Sequence, residues 1–124
     1  MCALILGNCE PVPPQTNNGV SSKLFPERFI GIWAHQREWC ANSENIGFSE
    51  RAPIRITATR LVGLENSCDV LKVATSSIGR VVVDFSCAGE GVLYTQRKHM
   101  SLAASGVLYI ANEGNSETEF FRCE

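Results

Sequence analysis

The chain has 124 residues, enough for one domain with its own apolar core. A formal net charge of −2 and only 11 Lys and Arg residues exclude the basic surface that binding to nucleic acid or to an anionic membrane requires. No apolar run approaches the length of a membrane span. We therefore expect a globular protein with no nucleic acid partner and no membrane span.

The first segment, 1–27, predicts the remnant of a signal peptide followed by a flexible arm, ahead of a folded domain at 28–124. Residues 1–7 are apolar, but they lack the basic residues that open a signal peptide. From Glu10 to Glu27 the chain is polar and contains four of its five prolines, which predicts an extended or disordered arm. The arm is either a spacer or a segment that reaches into a partner. The two cysteines of 1–27 either pair with each other or are absent from the mature protein.

The first predicted strand is the apolar run 29–33, which holds one of the two tryptophans. Successive side chains of a strand alternate between its faces, so Gly31 and Trp33 share one face. Glycine inside a strand marks a place where another group comes close to the backbone. Both isoleucines of the run then face outward, as does Phe121 in the last predicted strand. This apolar stripe suggests a contact surface, such as a homodimer interface.

The connection 36–52 is the longest in the folded domain, and it contains Trp39, Cys40 and Phe48. Connections of this length inside a compact domain are more often functional than idle. The two aromatic residues either belong to a lid or pack beneath the connection as a small additional core.

From Pro53 onward, apolar and polar residues alternate in short runs that are separated by turns rich in Gly, Asn and Ser. No segment has a convincing helical period. Together with 29–35, the runs predict eight strands, the other seven being 54–59, 61–65, 69–75, 81–87, 92–102, 107–111 and 118–123. Short turns between successive strands indicate an all-β fold, an eight-stranded antiparallel up-and-down barrel.

Six cysteines are a high number for a chain of this length. No Cys-x-x-Cys occurs and the two histidines stand apart, so we expect no metal site. The even number of cysteines at strand ends and in connections indicates two disulfides in an oxidising compartment, formed by Cys40, Cys68, Cys87 and Cys123. Of three possible pairings we predict Cys40–Cys68 and Cys87–Cys123, and we expect a periplasmic or secreted protein. The alternative is four reduced cysteines in a cytosolic protein.

No combination of residues predicts an enzyme. The sequence lacks a Gly-x-Ser-x-Gly, a His-Glu-x-x-His, a phosphate-binding loop and a pair of carboxylates at catalytic spacing. Asp84 and His99 are predicted to face water from their strands. We therefore expect no catalytic residue and no cofactor, and a function in binding.

The pair Gly31-x-Trp33 in a first strand resembles the opening of the calycin barrels, which include lipocalins, avidins and small bacterial inhibitor barrels. In that superfamily the tryptophan closes one end of the barrel beneath a basic side chain from the last strand. Arg122 stands at the matching place, and a guanidinium above an indole is a favourable cation–π pair. The resemblance implies that these three residues form a structural plug and not a binding site.

The run Ser105-Gly106-Val107-Leu108-Tyr109 resembles the Ser-Gly-x-x-Tyr motif of the periplasmic and membrane-bound inhibitors of C-type lysozyme, which are eight-stranded barrels with a disulfide. The resemblance implies that Ser105 hydrogen-bonds the catalytic carboxylates of lysozyme while Tyr109 shapes the loop. A second motif of that family has a lysine before a glycine, where this chain has Glu113-Gly114. The alternative is an ordinary hairpin turn at Ser105 and Gly106.

Two further resemblances concern the scaffold. Serralysin-type metalloprotease inhibitors are also small periplasmic barrels with an early Gly-x-Trp, and their N-terminal arm enters the protease cleft. The spacing of Trp33, the four cysteines and Arg122 is similar to that of small exported alphaproteobacterial proteins of unassigned function.

We expect an exported inhibitor, of lysozyme first and of a metalloprotease second, with a lipocalin-like or avidin-like ligand binder third. An inhibitor should fill its barrel with its own side chains, including Trp33, Val81 and Phe85. A ligand binder should instead keep an open apolar cavity.

Overall fold

The computed structural model describes residues 20–124. Two 3₁₀ segments occur, Glu27–Phe29 and Arg37–Asn45, the second with a kink at Asn42. No helix within this part of the chain is long and apolar enough to cross a membrane. The strands are β1 (Val20–Ser22), β2 (Gly31–Ala34), β3 (Ile54–Ile56), β4 (Arg60–Gly63), β5 (Asn66–Ser77), β6 (Arg80–Gly89), β7 (Val92–Leu102), β8 (Leu108–Asn112) and β9 (Thr118–Arg122).

Strands β2 to β9 form a closed antiparallel barrel in which each strand pairs with the strands before and after it in the sequence. The last strand returns to the first, because β9 pairs with β2 through Trp33↔Arg122 and Ala34↔Phe121. The eight-stranded up-and-down barrel predicted from alternation is therefore confirmed.

The barrel has two distinct ends, because neighbouring strands are antiparallel and alternate turns fall at the same end. The lower end carries the turns at 57–59, 78–79 and 103–107. The upper end carries the turns at 64–65, 90–91 and 113–117.

Apolar side chains of the protein itself occupy the barrel interior. In β6 the buried residues alternate with more exposed ones, so Val81 and Phe85 point inward. Trp33 is buried from β2, as expected. Other large side chains in this core are Phe29, Ile56, Met100 and Leu108. Burying each large apolar side chain contributes roughly 1.5–3 kcal/mol, so this filling is the main source of stability.

The described part of the predicted arm, 20–27, belongs to the barrel. Strand β1 pairs with residues 73–75 of β5, on the side where β4 pairs only with residues 66–69. Phe25 is buried at the lower end, and its backbone N–H donates to the Ala58 carbonyl at 2.8 Å. The prediction of a flexible arm up to Glu27 is therefore wrong for residues 20–27. The remainder of the arm, the predicted signal remnant, Cys2 and Cys9 lie outside the described residues.

Arg122 closes the lower end over Trp33. Its guanidinium carbon lies 4.2 Å from the centre of the indole ring. Nη1 donates to the Ile30 carbonyl at 2.9 Å and Nη2 donates to the Arg28 carbonyl at 2.7 Å. Gly31 makes this approach possible, because a Cβ there would lie 2.5 Å from Nη1 and the backbone has φ +149°. The expected contact between the last strand and the tryptophan is present.

All four cysteines of the barrel are oxidised, but the predicted pairing is wrong. The disulfides are Cys40–Cys123 and Cys68–Cys87. Cys68 and Cys87 are direct register partners on β5 and β6, and both face the interior. β6 and β9 are not neighbours in the barrel, so a Cys87–Cys123 bond has no short path. Two disulfides indicate an oxidising environment outside the cytoplasm.

The connection after β2 packs on the outside of the barrel. The Cys40–Cys123 bond ties its 3₁₀ segment to the end of β9, and the Arg37 guanidinium lies 4.2 Å from the centre of the Phe121 ring. Part of the predicted outward apolar stripe is therefore covered by the chain itself. Trp39 is half-buried beside His35, whereas Phe48 is exposed, so the predicted additional core includes only the first of these two aromatic residues.

Replacing Gly31 with alanine should lower the free energy of unfolding by about 1–3 kcal/mol, because the new methyl group meets the guanidinium and the backbone has positive φ. The measurement is urea unfolding. Gly114→Ala is the matched control, since its φ is +84° but no atom lies within 4 Å of the added Cβ.

Adding Arg122→Ala to the Gly31→Ala variant removes the clash, so the two substitutions should couple by at least about 0.5 kcal/mol. Equal losses for Gly31→Ala and Gly114→Ala together with additive effects would contradict this account of the lower end.

Candidate functional sites at the two ends of the barrel

The Ser105-Gly106 pair lies at the tip of the β7–β8 turn, at the lower end. Ser105 is exposed. Two backbone hydrogen bonds define the turn, from Gly106 N to the Ala103 carbonyl at 2.8 Å and from Ala103 N to the Val107 carbonyl at 2.9 Å. Gly106 has φ +93°, a conformation that glycine adopts without strain. The serine hydroxyl is therefore presented to solvent on an ordered turn.

Two other segments lie at the same end as this turn. The Leu102 amide donates to the Gly79 carbonyl at 2.8 Å, which places the 78–79 turn beside the 103–107 turn. Strand β1 begins there too, because Val20 is the register partner of Thr75 near the end of β5.

Tyr109 does not contribute to the Ser105 turn. It lies in β8 between the buried Leu108 and Ile110, so its side chain faces outward. Its hydroxyl lies 3.5 Å from Oε2 of Glu119, its register partner in β9. Tyr109 therefore supports the β8–β9 pair.

Glu113 lies at the upper end, on the opposite side of the barrel from Ser105. Strand β8 spans five residues between the two turns, which separates them by roughly 16 Å at 3.3 Å per residue. The Glu113 carboxylate bonds to His99 Nε2, and its amide donates to the Arg97 carbonyl at 3.0 Å. The two halves of the proposed motif are therefore not brought together.

An ionic cluster lies on the outer face of β6 and β7, next to Glu113. Arg97 Nε donates to Asp84 Oδ1 at 2.7 Å, and Lys72 is the register partner of Asp84. The hydrogen bond from Arg97 is the main reason why the pKa of Asp84 is lowered. Partial burial raises this pKa, but the positive charges of Arg97 and Lys72 lower it further. Asp84 and His99 both lie on the outer face, as predicted.

Polar side chains from β7 and β8 share the upper half of the barrel interior with the apolar core, a feature that the residue pattern had not been used to predict. Lys98 points inward from β7, and its Nζ donates to Asn112 Oδ1 at 2.6 Å. Burial lowers the pKa of Lys98. Gln96 and Tyr94 share the inward parity of the buried Met100. Side chains alternate along a strand, so Lys98 shares one face of β7 with the apolar Met100. That alternation was the signal in the sequence that Lys98 faces inward.

A cleft of about 430 Å³ opens at the upper end between the 64–65 and 90–91 turns. On its wall, Asn66 Nδ2 donates to the Tyr94 hydroxyl at 3.3 Å. Nothing in the sequence pattern singled out this cleft. Among residues 20–124, no three His, Cys, Asp or Glu side chains lie together as ligands for a metal ion.

Comparison with known proteins found no match. No protein-family model and no curated protein matches the sequence, and no solved structure matches the fold.

Replacing Asp84 with asparagine should lower the free energy of unfolding at pH 7 by roughly 0.2–1 kcal/mol, the range for partly exposed ion pairs. The folded-state pKa of Asp84 is lowered, so its contribution is present above the unfolded pKa of about 3.9 and disappears as pH falls through the folded value. Thermal unfolding between pH 7 and pH 2 measures this.

Asp69→Asn is the control for the Asp84 variant, because it breaks the more exposed Arg60–Asp69 pair. Its effect should be smaller. A difference between wild type and Asp84→Asn that persists unchanged at the lowest pH would contradict the role given to Arg97.

Proposed function

We propose that this protein is an exported barrel that works by binding another protein, and that it inhibits a C-type lysozyme by inserting the 103–107 turn into the enzyme cleft. The observation that carries the proposal is the ordered, exposed Ser105 turn. It projects from the end of the barrel that Arg122 and Trp33 close.

The chemistry of the turn suits this role. Lysozyme cleaves its substrate with two carboxyl groups that flank the bond. The Ser105 hydroxyl can donate a hydrogen bond to such a carboxylate, and hydrogen bonds to charged groups are stronger than those between neutral groups. No atom lies within 4 Å of a Cβ position on Gly106, so the tip of the turn is open to an approaching partner.

Glu113 takes no part in the proposed interface. An acidic residue beside Ser105 would repel the enzyme's carboxylates, but Glu113 lies at the other end of the barrel and is bonded to His99. The proposal therefore assigns the contact to Ser105 and Gly106 and gives Tyr109 and Glu113 structural roles.

The filled interior favours a protein partner over a small apolar ligand. Trp33, Val81 and Phe85 are all buried inside the barrel. A binder of the lipocalin or avidin kind would need that space. The disulfides are consistent with a periplasmic or secreted protein, which is where a lysozyme inhibitor acts.

Titration of the oxidised protein against a C-type lysozyme, with lysis of peptidoglycan as the readout, tests the proposal. Wild type should inhibit. Ser105→Ala should weaken inhibition by about 10-fold or more, because a hydrogen bond to a charged group contributes about 1.5–3 kcal/mol.

Two control variants locate the contact. Ser116→Ala changes an exposed serine at the upper end and should leave inhibition unchanged, as should Glu113→Gln. No inhibition at micromolar protein, or equal loss from Ser105→Ala and Ser116→Ala, would reject the lysozyme proposal.

A metalloprotease inhibitor is the second candidate, favoured by one observation. Strand β1 fixes Val20 at the lower end, the same end of the barrel that carries the Ser105 turn. An N-terminal segment and the turn could therefore face the same partner.

Removing residues 1–19 separates the two inhibitors. The truncated protein should keep its lysozyme inhibition if the turn acts alone, whereas a protease inhibitor of the arm type should lose inhibition of a serralysin-type enzyme. The deletion must end before β1, because Phe25 belongs to the core and its loss would unfold the barrel. Loss of lysozyme inhibition in a truncated protein with unchanged thermal stability would contradict the turn as sole contact.

A further inference from the structure

Four large apolar side chains are exposed at the upper end, two of them lining the cleft (Leu64 and Val92) and two on the neighbouring segments (Phe48 and Leu93), and we call the four the apolar rim. Their exposed fractions are 84% for Phe48, 45% for Leu64, 57% for Val92 and 80% for Leu93. Exposed apolar groups gathered in one place mark interaction surfaces more often than isolated ones do.

Strand register explains why the members of the apolar rim are neighbours. Asn66 pairs with Gly63 and with Gly89, and Gly89 pairs with Val92, so the turns after β4 and after β6 lie side by side. The Glu65 amide donates to the Gly47 carbonyl at 3.1 Å, which brings Phe48 to the same edge. The packing between the turns is close, since a Cβ on Gly89 would lie 2.8 Å from the Glu65 carbonyl oxygen.

Two acidic residues, Glu65 and Glu90, line the cleft from the two turns that form its walls. Glu65 and Glu90 are the non-glycine residues with positive φ in the described chain, at +55° and +53°. The pKa of Glu65 is raised, first because its carboxyl hydrogen-bonds that of Glu90 and then because the two negative charges repel. Within the described residues, neither carboxylate has a Lys, Arg or His partner in a salt bridge.

We propose that the apolar rim docks a protein segment that presents an arginine or lysine between apolar side chains. The cation would lie between the Glu65 and Glu90 carboxylates, and the apolar flanks would cover Leu64 and Val92. Charge complementarity supports this occupant, because the cleft is lined by two carboxylates that have no cationic partner among residues 20–124. The surface lies at the opposite end from the Ser105 turn, so the proposal does not rest on lysozyme inhibition.

The test is a titration of the ¹⁵N-labelled protein by NMR with the peptide acetyl-Leu-Arg-Leu-amide at pH 7. Saturable shifts should appear at residues 64–66 and 89–94. The peptide acetyl-Leu-Gln-Leu-amide, which keeps the apolar flanks but lacks the charge, should bind about 3- to 10-fold more weakly.

Variants assign the contact to the two carboxylates. Glu65→Gln combined with Glu90→Gln should reduce binding of the arginine peptide to that of the glutamine peptide. Glu27→Gln combined with Glu124→Gln makes the same change in net charge at exposed positions elsewhere and should have no effect. Val92→Ser, at an exposed position that lines the cleft, should weaken both peptides while the other amide signals stay in place.

Acidification gives an independent readout of the same contact. Protonation of the Glu65–Glu90 pair removes negative charge, so affinity for the arginine peptide should fall as pH falls through the raised pKa of Glu65. Affinity for the glutamine peptide should change little.

Several results would overturn the proposal. These are the absence of saturable shifts at low-millimolar peptide, equal affinity for the two peptides, and unchanged binding in the Glu65→Gln, Glu90→Gln variant. Shifts at 64–66 and 89–94 that follow protein concentration without peptide would identify a second copy of the chain as the occupant. Shifts produced by calcium chloride alone, with no response to the arginine peptide, would identify a metal ion.

Discussion

The contact between Arg122 and Trp33 is the constraint on which the rest of the barrel depends. Barrel closure requires β9 to pair with β2, and Trp33 and Arg122 are register partners in that pairing. No side chain of simpler shape could replace Arg122 here. Its guanidinium donates hydrogen bonds to two carbonyl oxygens while its flat face covers the indole. Gly31 supplies the space, so one interaction joins the two strands, β2 and β9, that close the barrel.

The two ends of the barrel also differ in chemistry. Below, Phe25, Phe29 and Trp33 fill the interior. Above, Lys98 and Asn112 replace apolar residues inside the barrel, and Glu65 and Glu90 stand at its rim. The apolar core therefore spans the barrel, and polar side chains join it only towards the upper end.

The sequence predicted the fold well because alternation is a local property. Every barrel strand carries an inward and an outward set that can be read without knowing its neighbours. The disulfides could not be paired in the same way, because partners depend on which strands become adjacent. Cys68 and Cys87 face each other only once the β5–β6 register is fixed. The role of β1 was hidden for a related reason, since one short strand and Phe25 stand in a polar segment.

The candidate sites also differ in whether a local sequence pattern could reveal them. A turn at Ser105 and Gly106 follows from local residue types, and the structure has one there. Glu113 was grouped with it by nearness in sequence, although one strand of the barrel lies between them. Glu65 and Glu90 are brought together only by pairing between β5 and β6, so no local pattern could join them.

The nested disulfides impose an order on the oxidation of a chain that crosses a membrane from its N-terminus. Of the four cysteines of the barrel, Cys40 and Cys68 would emerge first, and joining these consecutive thiols would give a non-native bond. The native partner of Cys40 is 83 residues away, and the Cys68–Cys87 bond lies inside that interval. Thiol exchange is then the step that releases the early bond, and a disulfide isomerase should determine the yield of folded protein more than an oxidant does.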